Sequence, residues 1–191
     1  MNVISNVYID RVVLEASKLR CNKEVLVVGA GDCATCYHLI KAGFDVISTD
    51  YKKTERFEQN MVDYKHLLNW QESSILDINS FSVESRDIVV CMEVLEHLVD
   101  YKLAFENLLK LTNKRLIIGV PWKTSFNYPA PPPEGHCNYW DYDGRDGYKN
   151  IYEFEEMCKP HKFYIENIIS HEEDLTSGER VMLMIIDKEI E

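Results

Sequence analysis

Residues 24–31, E-V-L-V-V-G-A-G, constrain the fold of this chain more than any other stretch. Four apolar residues in a row, three of them valine, suit a short strand buried on both faces, the usual state of a central strand in a parallel sheet. Gly29 and Gly31 end the run and let the backbone turn sharply. The spacing then predicts a helix over 32–42, stopped by Gly43 in a C-cap position, and a second strand over 45–49 that ends at Asp50.

The alternation continues. A helix is expected over 55–69, a weaker strand over 73–76 ending at Asp77, and a strand over 87–91, D-I-V-V-C. An amphipathic helix over 98–111 leads to a fifth strand over 115–120, which Pro121 terminates. Residues 151–159 read as a helix, and 162–170 and 180–187 as strands. Ser177-Gly178 in the turn between those two favours an antiparallel pair. Before all of this, Ile9, Val12, Val13, Ala16 and Leu19 mark one face of an N-terminal amphipathic helix. The expected fold is α/β: one domain over 1–191, a Rossmann-like, doubly wound, seven-stranded, mostly parallel sheet with helices on both faces.

Residues 121–150 break the pattern with four prolines between 129 and 133 and a dense set of aromatics, including Trp122, Tyr139 and Trp140. A connection this long in a compact domain is usually functional or disordered, and its aromatic content predicts an ordered active-site loop. Pro131-Pro132-Pro133 would stiffen it.

A formal net charge of −11 argues against broad binding to a phosphate backbone, so a small-molecule acceptor is expected rather than nucleic acid. No apolar run reaches the roughly 20 residues of a membrane span, and the N-terminus lacks the long apolar core of a signal peptide. Six scattered cysteines without that signal predict reduced thiols and a cytoplasmic location. The pair Cys33 and Cys36 has no second pair at zinc-site spacing.

In sheets of this kind the ligand lies beyond the carboxyl ends of the strands. Gly29 to Ala34 fits G-x-G-x-x-A, with Asp50 21 residues after Gly29, a pattern that serves adenosine cofactors in general. Two features favour S-adenosylmethionine over NAD. No length remains for a separate substrate domain, and polar groups close successive strands at Asp50, at Asp77-Ile78 and at Cys91-Met92-Glu93.

With these motifs the chain resembles the class I S-adenosylmethionine-dependent methyltransferases. The resemblance rests on E-V-L-V-V-G-A-G-D, V-I-S-T-D, S-S-I-L-D-I and D-I-V-V-C-M-E-V-L-E-H-L, and runs from about Glu24 to Val120 before continuing in strand order. It implies Gly29, Ala30 and Gly31 against the methionine part of the cofactor and Asp50, with Tyr51 beside it, on the ribose. It places Asp77 and the Ile78 backbone on the adenine and Cys91 in the floor of the site. Two positions depart from the family pattern: Val27 stands where an acid is usual, and Cys33 where a third glycine is usual.

Methyl transfer from a sulfonium is an in-line displacement, so positioning the acceptor supplies much of the catalysis, and an O–H or N–H acceptor can also need a base. Glu93, His97 and His136 are the candidate catalytic residues. If 93–97 were helical, Glu93, Glu96 and His97 would share a face. With His136, in H-C-N-Y-W, they would resemble the magnesium- or manganese-dependent methyltransferases of small-RNA 3′ ends, which act on a 2′-O. The main expectation is metal-free transfer to an O or N of a small molecule of sugar or secondary-metabolite type. A cofactor-binding, non-catalytic partner subunit is the rival from another class, kept open by Val27 and Cys33. Trp122 and Trp140 could stack on a substrate ring or anchor the loop, while His38 reads as structural or solvent-facing.

Overall fold

The structure is a computed structural model, and it describes residues 7–19, 23–60, 68–121, 137–138, 140–141, 149–150, 152–169 and 180–188. Its elements run α1 (Val7–Ser17), β1 (Glu24–Val28), α2 (Ala34–Lys41), β2 (Asp45–Asp50), α3 (Glu55–Asn60), β3 (Leu68–Glu72), β4 (Arg86–Met92), α4 (Tyr101–Leu111) and β5 (Thr112–Pro121). Two short strands, β6 (Trp140–Asp141) and β7 (Lys149–Asn150), pair with each other before α5 (Tyr152–Cys158), β8 (Lys162–Ile169) and β9 (Arg180–Asp187).

The main sheet has seven strands in the order β3-β2-β1-β4-β5-β9-β8. Its first five strands are parallel, and β9 is antiparallel to both β5 and β8. The doubly wound, mostly parallel α/β sheet expected from the sequence is therefore present.

The period-two alternation of a strand divides the core in two. Val25 and Val27 of β1 face Val12 and Ala16 of α1, Cys36 and Leu39 of α2 and Phe57 of α3. Leu26 and Val28 face the opposite way, into the cluster built by Tyr101, Phe105 and Leu108 of α4 and Phe154 and Cys158 of α5. Each central strand is thus apolar on both sides, which is why it reads as a run rather than as an alternation.

Three boundaries differ from expectation. The third strand lies at Leu68–Glu72, where the sequence predicted the end of a helix, and 73–76 is not a strand. Ile75 is a core residue outside the sheet, and its carbonyl accepts from the buried Asn107 side chain at 2.8 Å, so its apolarity reflects packing against α4. The helix expected over 98–111 begins at Tyr101, because Asp100 caps it by accepting from the Leu103 N–H at 3.1 Å. The fifth strand begins earlier, at Thr112, directly after α4.

At the amino end of the parallel strands, Arg115 of β5 forks onto Asp187 of β9 at 2.6 and 2.9 Å and donates to the Glu15 carbonyl of α1 at 2.9 Å. This buried polar clasp ties α1 to the sheet opposite the strand ends that concern function.

Candidate cofactor and acceptor site

The glycine loop follows β1. Gly29 and Gly31 have φ of 72° and 53°, the left-handed region that glycine enters without a Cβ penalty. The Gly29 and Ala30 N–H groups both donate to the Thr49 carbonyl at the end of β2, at 2.8 and 3.0 Å. Cys33 closes the loop with φ 65° and donates to the Ala30 carbonyl at 2.7 Å. Where the family pattern has a third glycine, the backbone is left-handed all the same, and the fully buried Cys33 side chain packs into the core with Cys36.

Asp50, the last residue of β2, is tied to this loop. Its two carboxylate oxygens accept from the Gly31 N–H at 2.8 Å and the Tyr51 N–H at 2.7 Å. Thr54 completes the corner by donating to the Gly31 carbonyl at 3.1 Å and accepting from the Phe57 N–H at 3.1 Å. A carboxylate oxygen accepts more than one hydrogen bond, so Asp50 keeps lone pairs for a diol after both backbone bonds are made. Tyr51 stands beside it, 65% exposed. Asp77 is exposed and accepts from the Asn79 N–H at 3.1 Å, starting a single turn of 3-10 helix at Ile78–Ser80, with Ile78 half-buried against the core. Cys91 is fully buried in β4, and burial raises its thiol far above the ordinary range.

The segment after β4 is a turn and does not meet the helical condition of the metal alternative. Glu93 has φ 54°, and its N–H donates to the Gly119 carbonyl of β5 at 2.8 Å, so it belongs to a bend and not to a helix. Leu95–His97 is one turn of 3-10 helix. Glu93, Glu96 and His97 therefore do not share an α-helical face. The Glu96 side chain turns inward and the residue is only 1% exposed, whereas His97 is exposed. Burial pushes the Glu96 carboxyl up to about 8, with the Glu93 charge adding to the effect, and its Oε2 has no hydrogen-bond partner among the described residues. His97 Nε2 lies 3.8 Å from the other Glu96 oxygen.

Among the described residues no group of three His, Cys, Asp or Glu side chains is arranged to hold a metal ion. His136 lies outside the described residues, as do Trp122, Tyr139, His171, the three consecutive prolines and Ser177-Gly178. Trp140 is fully buried and packs against Phe154 at 4.8 Å and Tyr101 at 5.6 Å between ring centroids, which makes it an anchor. His38 sits 4.0 Å from Asp10 of α1, on the helix layer.

The sequence reading missed two residues at this site. Val94 packs directly over the Gly29 α-carbon: a Cβ at Gly29 would lie 2.1 Å from Val94 Cγ2. Asn138 is buried, and its side-chain amide donates to the carbonyls of Leu95 at 3.1 Å and Leu98 at 2.5 Å. Neither carried a signal, because one contact is apolar and the other involves only backbone acceptors some forty positions away.

Comparison with known proteins agrees with this fold. Residues 26–115 match the family model described as "Methyltransferase domain". No curated protein matches the sequence. Among solved structures, the CurJ carbon methyltransferase is similar at 17% identity with a TM-score of 0.66, over 98% of this chain and 55% of that one, so this chain spans about half its length. Magnesium protoporphyrin IX methyltransferase from Synechocystis PCC 6803, with bound S-adenosylhomocysteine, is similar at 16% identity and a TM-score of 0.68, over 98% and 84% of the two chains. The methyltransferase domain of a bacterial CtHen1 is similar at 17% identity and a TM-score of 0.67, over 96% and 99%.

Proposed function

We propose that this chain belongs to the class I S-adenosylmethionine-dependent methyltransferase superfamily and transfers the methyl group of that cofactor to an O or N of a small molecule of sugar or secondary-metabolite type. The observation that carries the cofactor reading is the bond between the Gly31 N–H and Asp50, which presets the loop and the ribose acid as one unit. Gly29, Ala30 and Gly31 would meet the methionine part, Asp50 and Tyr51 the ribose, Asp77 and the Ile78 N–H the adenine, and Cys91 would underlie them.

When bound, S-adenosylmethionine would supply the activated methyl group, and these residues would hold it. Glu93 and His97 stand beyond β4, and either would take the proton of an acceptor held in line with that methyl. The small-molecule reading draws on the net charge of −11, and one similar structure is a methyltransferase of magnesium protoporphyrin IX. Calorimetry with S-adenosylhomocysteine against NAD tests the cofactor, and saturable binding of the former alone is expected. Release of S-adenosylhomocysteine from S-adenosylmethionine across a panel of sugars, phenols and amines tests the acceptor; binding without turnover on every member would favour the non-catalytic subunit.

One observation favours a second reading, in which Glu93, Glu96, His97 and His136 hold magnesium or manganese beside a 2′-O at an RNA 3′ end. Glu96 Oε2 is buried and lacks a hydrogen-bond partner among the described residues, as a ligand awaiting an ion would. Against it stand the bend at Glu93 and the acidic charge of the chain. Loss of activity in a chelator, restored by manganese, would establish the second reading over the first.

A further inference from the structure

Four consecutive carbonyls of the turn after β4, those of Leu95, Glu96, His97 and Leu98, all accept hydrogen bonds from one dipeptide, Cys137-Asn138. The Asn138 amide takes Leu95 at 3.1 Å and Leu98 at 2.5 Å. The backbone N–H groups of Cys137 and Asn138 both donate to Glu96, at 2.6 and 2.9 Å. The Cys137 thiol donates to His97 at 3.4 Å. A single 3-10 turn cannot satisfy its own terminal carbonyls and is not self-supporting, so its position depends on these external donors.

The same turn begins at Val94, the residue that fills the space over the Gly29 α-carbon. A continuous line of contact therefore runs from Asn138 through the 95–98 turn and Val94 to the glycine loop. We propose that Asn138 is a positioning residue for the cofactor loop: it fixes the turn whose Val94 side chain holds Gly29 in its left-handed conformation. This inference rests on the cofactor reading above. Asparagine suits the task because its NH2 offers two donors to two acceptors, whereas aspartate has the same shape and offers none when ionised. Coupling between two equilibria is reciprocal, so ligand bound at the glycine loop must in turn steady the Cys137-Asn138 clamp.

Cys137 supplies a built-in reporter, being exposed while Cys33, Cys36, Cys91 and Cys158 are buried. The test measures S-adenosylhomocysteine affinity by calorimetry and Cys137 alkylation by iodoacetamide, mapped by peptide mass, in the wild type and in Asn138→Asp, Asn138→Ser and Val94→Ala. In the wild type, saturating ligand should slow Cys137 alkylation severalfold. Asn138→Asp should weaken ligand binding about tenfold or more, the scale of two lost hydrogen bonds, and speed alkylation; Asn138→Ser, keeping one donor, should fall between. Val94→Ala leaves every clamp hydrogen bond in place, and it should abolish the effect of ligand on alkylation even if Asn138→Asp fails to fold.

A purely structural Asn138 would lower the thermal midpoint and leave ligand affinity and ligand protection of Cys137 unchanged, which would overturn the proposal. If the wild type binds no S-adenosylhomocysteine, the cofactor reading falls, and this one with it. If the wild type binds and Asn138→Asp and Asn138→Ser bind equally well, only the positioning role falls.

Discussion

Replacing Gly29 with alanine adds one methyl group and should meet two separate penalties. The first is conformational: φ at Gly29 is 72°, and holding a residue with a Cβ in the left-handed region costs about 1–2 kcal/mol. The second is steric. The new Cβ would stand 2.1 Å from Val94 Cγ2 and 3.4 Å from Val94 Cβ and Cγ1, so the valine must leave its place over the loop. Overpacking of this kind costs about 1–3 kcal/mol, which brings the expected total to roughly 2–5 kcal/mol. The two parts separate in a double-mutant cycle. Val94→Ala removes both γ-carbons, so in that background Gly29→Ala should retain only the backbone penalty. The pair should therefore couple by about 1–3 kcal/mol, within the range for residues in contact. Urea unfolding of the four proteins gives the values from shifts in midpoint at constant slope. Additivity within about 0.5 kcal/mol, or a neutral Gly29→Ala, would refute the claim that Val94 and the glycine loop share one space.

Asp50→Asn keeps one acceptor oxygen but turns an NH2 toward the N–H of either Gly31 or Tyr51, so S-adenosylhomocysteine affinity should fall by at least about tenfold in calorimetry, with a loss of loop stability of about 1–3 kcal/mol. Glu96 gives a pH signature: its folded carboxyl sits at about 8, above an ordinary value of 4.5, so the folded state keeps a proton that the unfolded chain releases. Stability conferred by the wild-type residue should therefore decline from about pH 4.5 to about pH 8. Glu96→Gln should lack that decline and gain on the wild type as pH rises, and parallel urea midpoints for the two proteins across this window would contradict a buried neutral acid. Arg115→Met leaves Asp187 without its guanidinium and the Glu15 carbonyl without that donor, while the Glu15 carboxylate keeps Arg11 and Lys18; it should cost about 3 kcal/mol, toward the low end for a broken buried pair because Asp187 is 31% exposed, and thermal unfolding reads it as a lowered midpoint.

The central strands β1, β2, β4 and β5 were legible because each needs apolar residues on both faces, and such runs have few other uses in a soluble domain. The edge strand was not. L-N-W-Q-E carries little apolar content, since only one neighbour, β2, pairs with it, while the more apolar S-S-I-L just beyond it owes Ile75 to packing under α4. The glycine loop and Asp50 were legible because their chemistry depends on residue type: no Cβ at one, a carboxylate at the other. The conformation of E-V-L-E-H, on which the shared face of Glu93, Glu96 and His97 depended, was not legible, because the positive φ at Glu93 leaves no mark in composition. The clamp by Cys137-Asn138 was invisible for a different reason. Its acceptors are main-chain carbonyls, which every residue possesses, and only tertiary placement selects these four.

The position of β9 between β5 and β8 has a consequence for how the molecule is made. β8 leaves the ribosome before β9, yet among the described residues it pairs with β9 and not with any strand synthesised earlier. Until Arg180–Asp187 emerges, the Leu116–Val120 edge of β5 has no partner on that side, and β8 has nowhere to dock. A nascent chain at that stage would present an apolar, unpaired parallel strand to its neighbours, the kind of surface on which chains aggregate. β9, made after β8, is thus an internal strand of the sheet, and its arrival seals the edge and seats β8 in the same event.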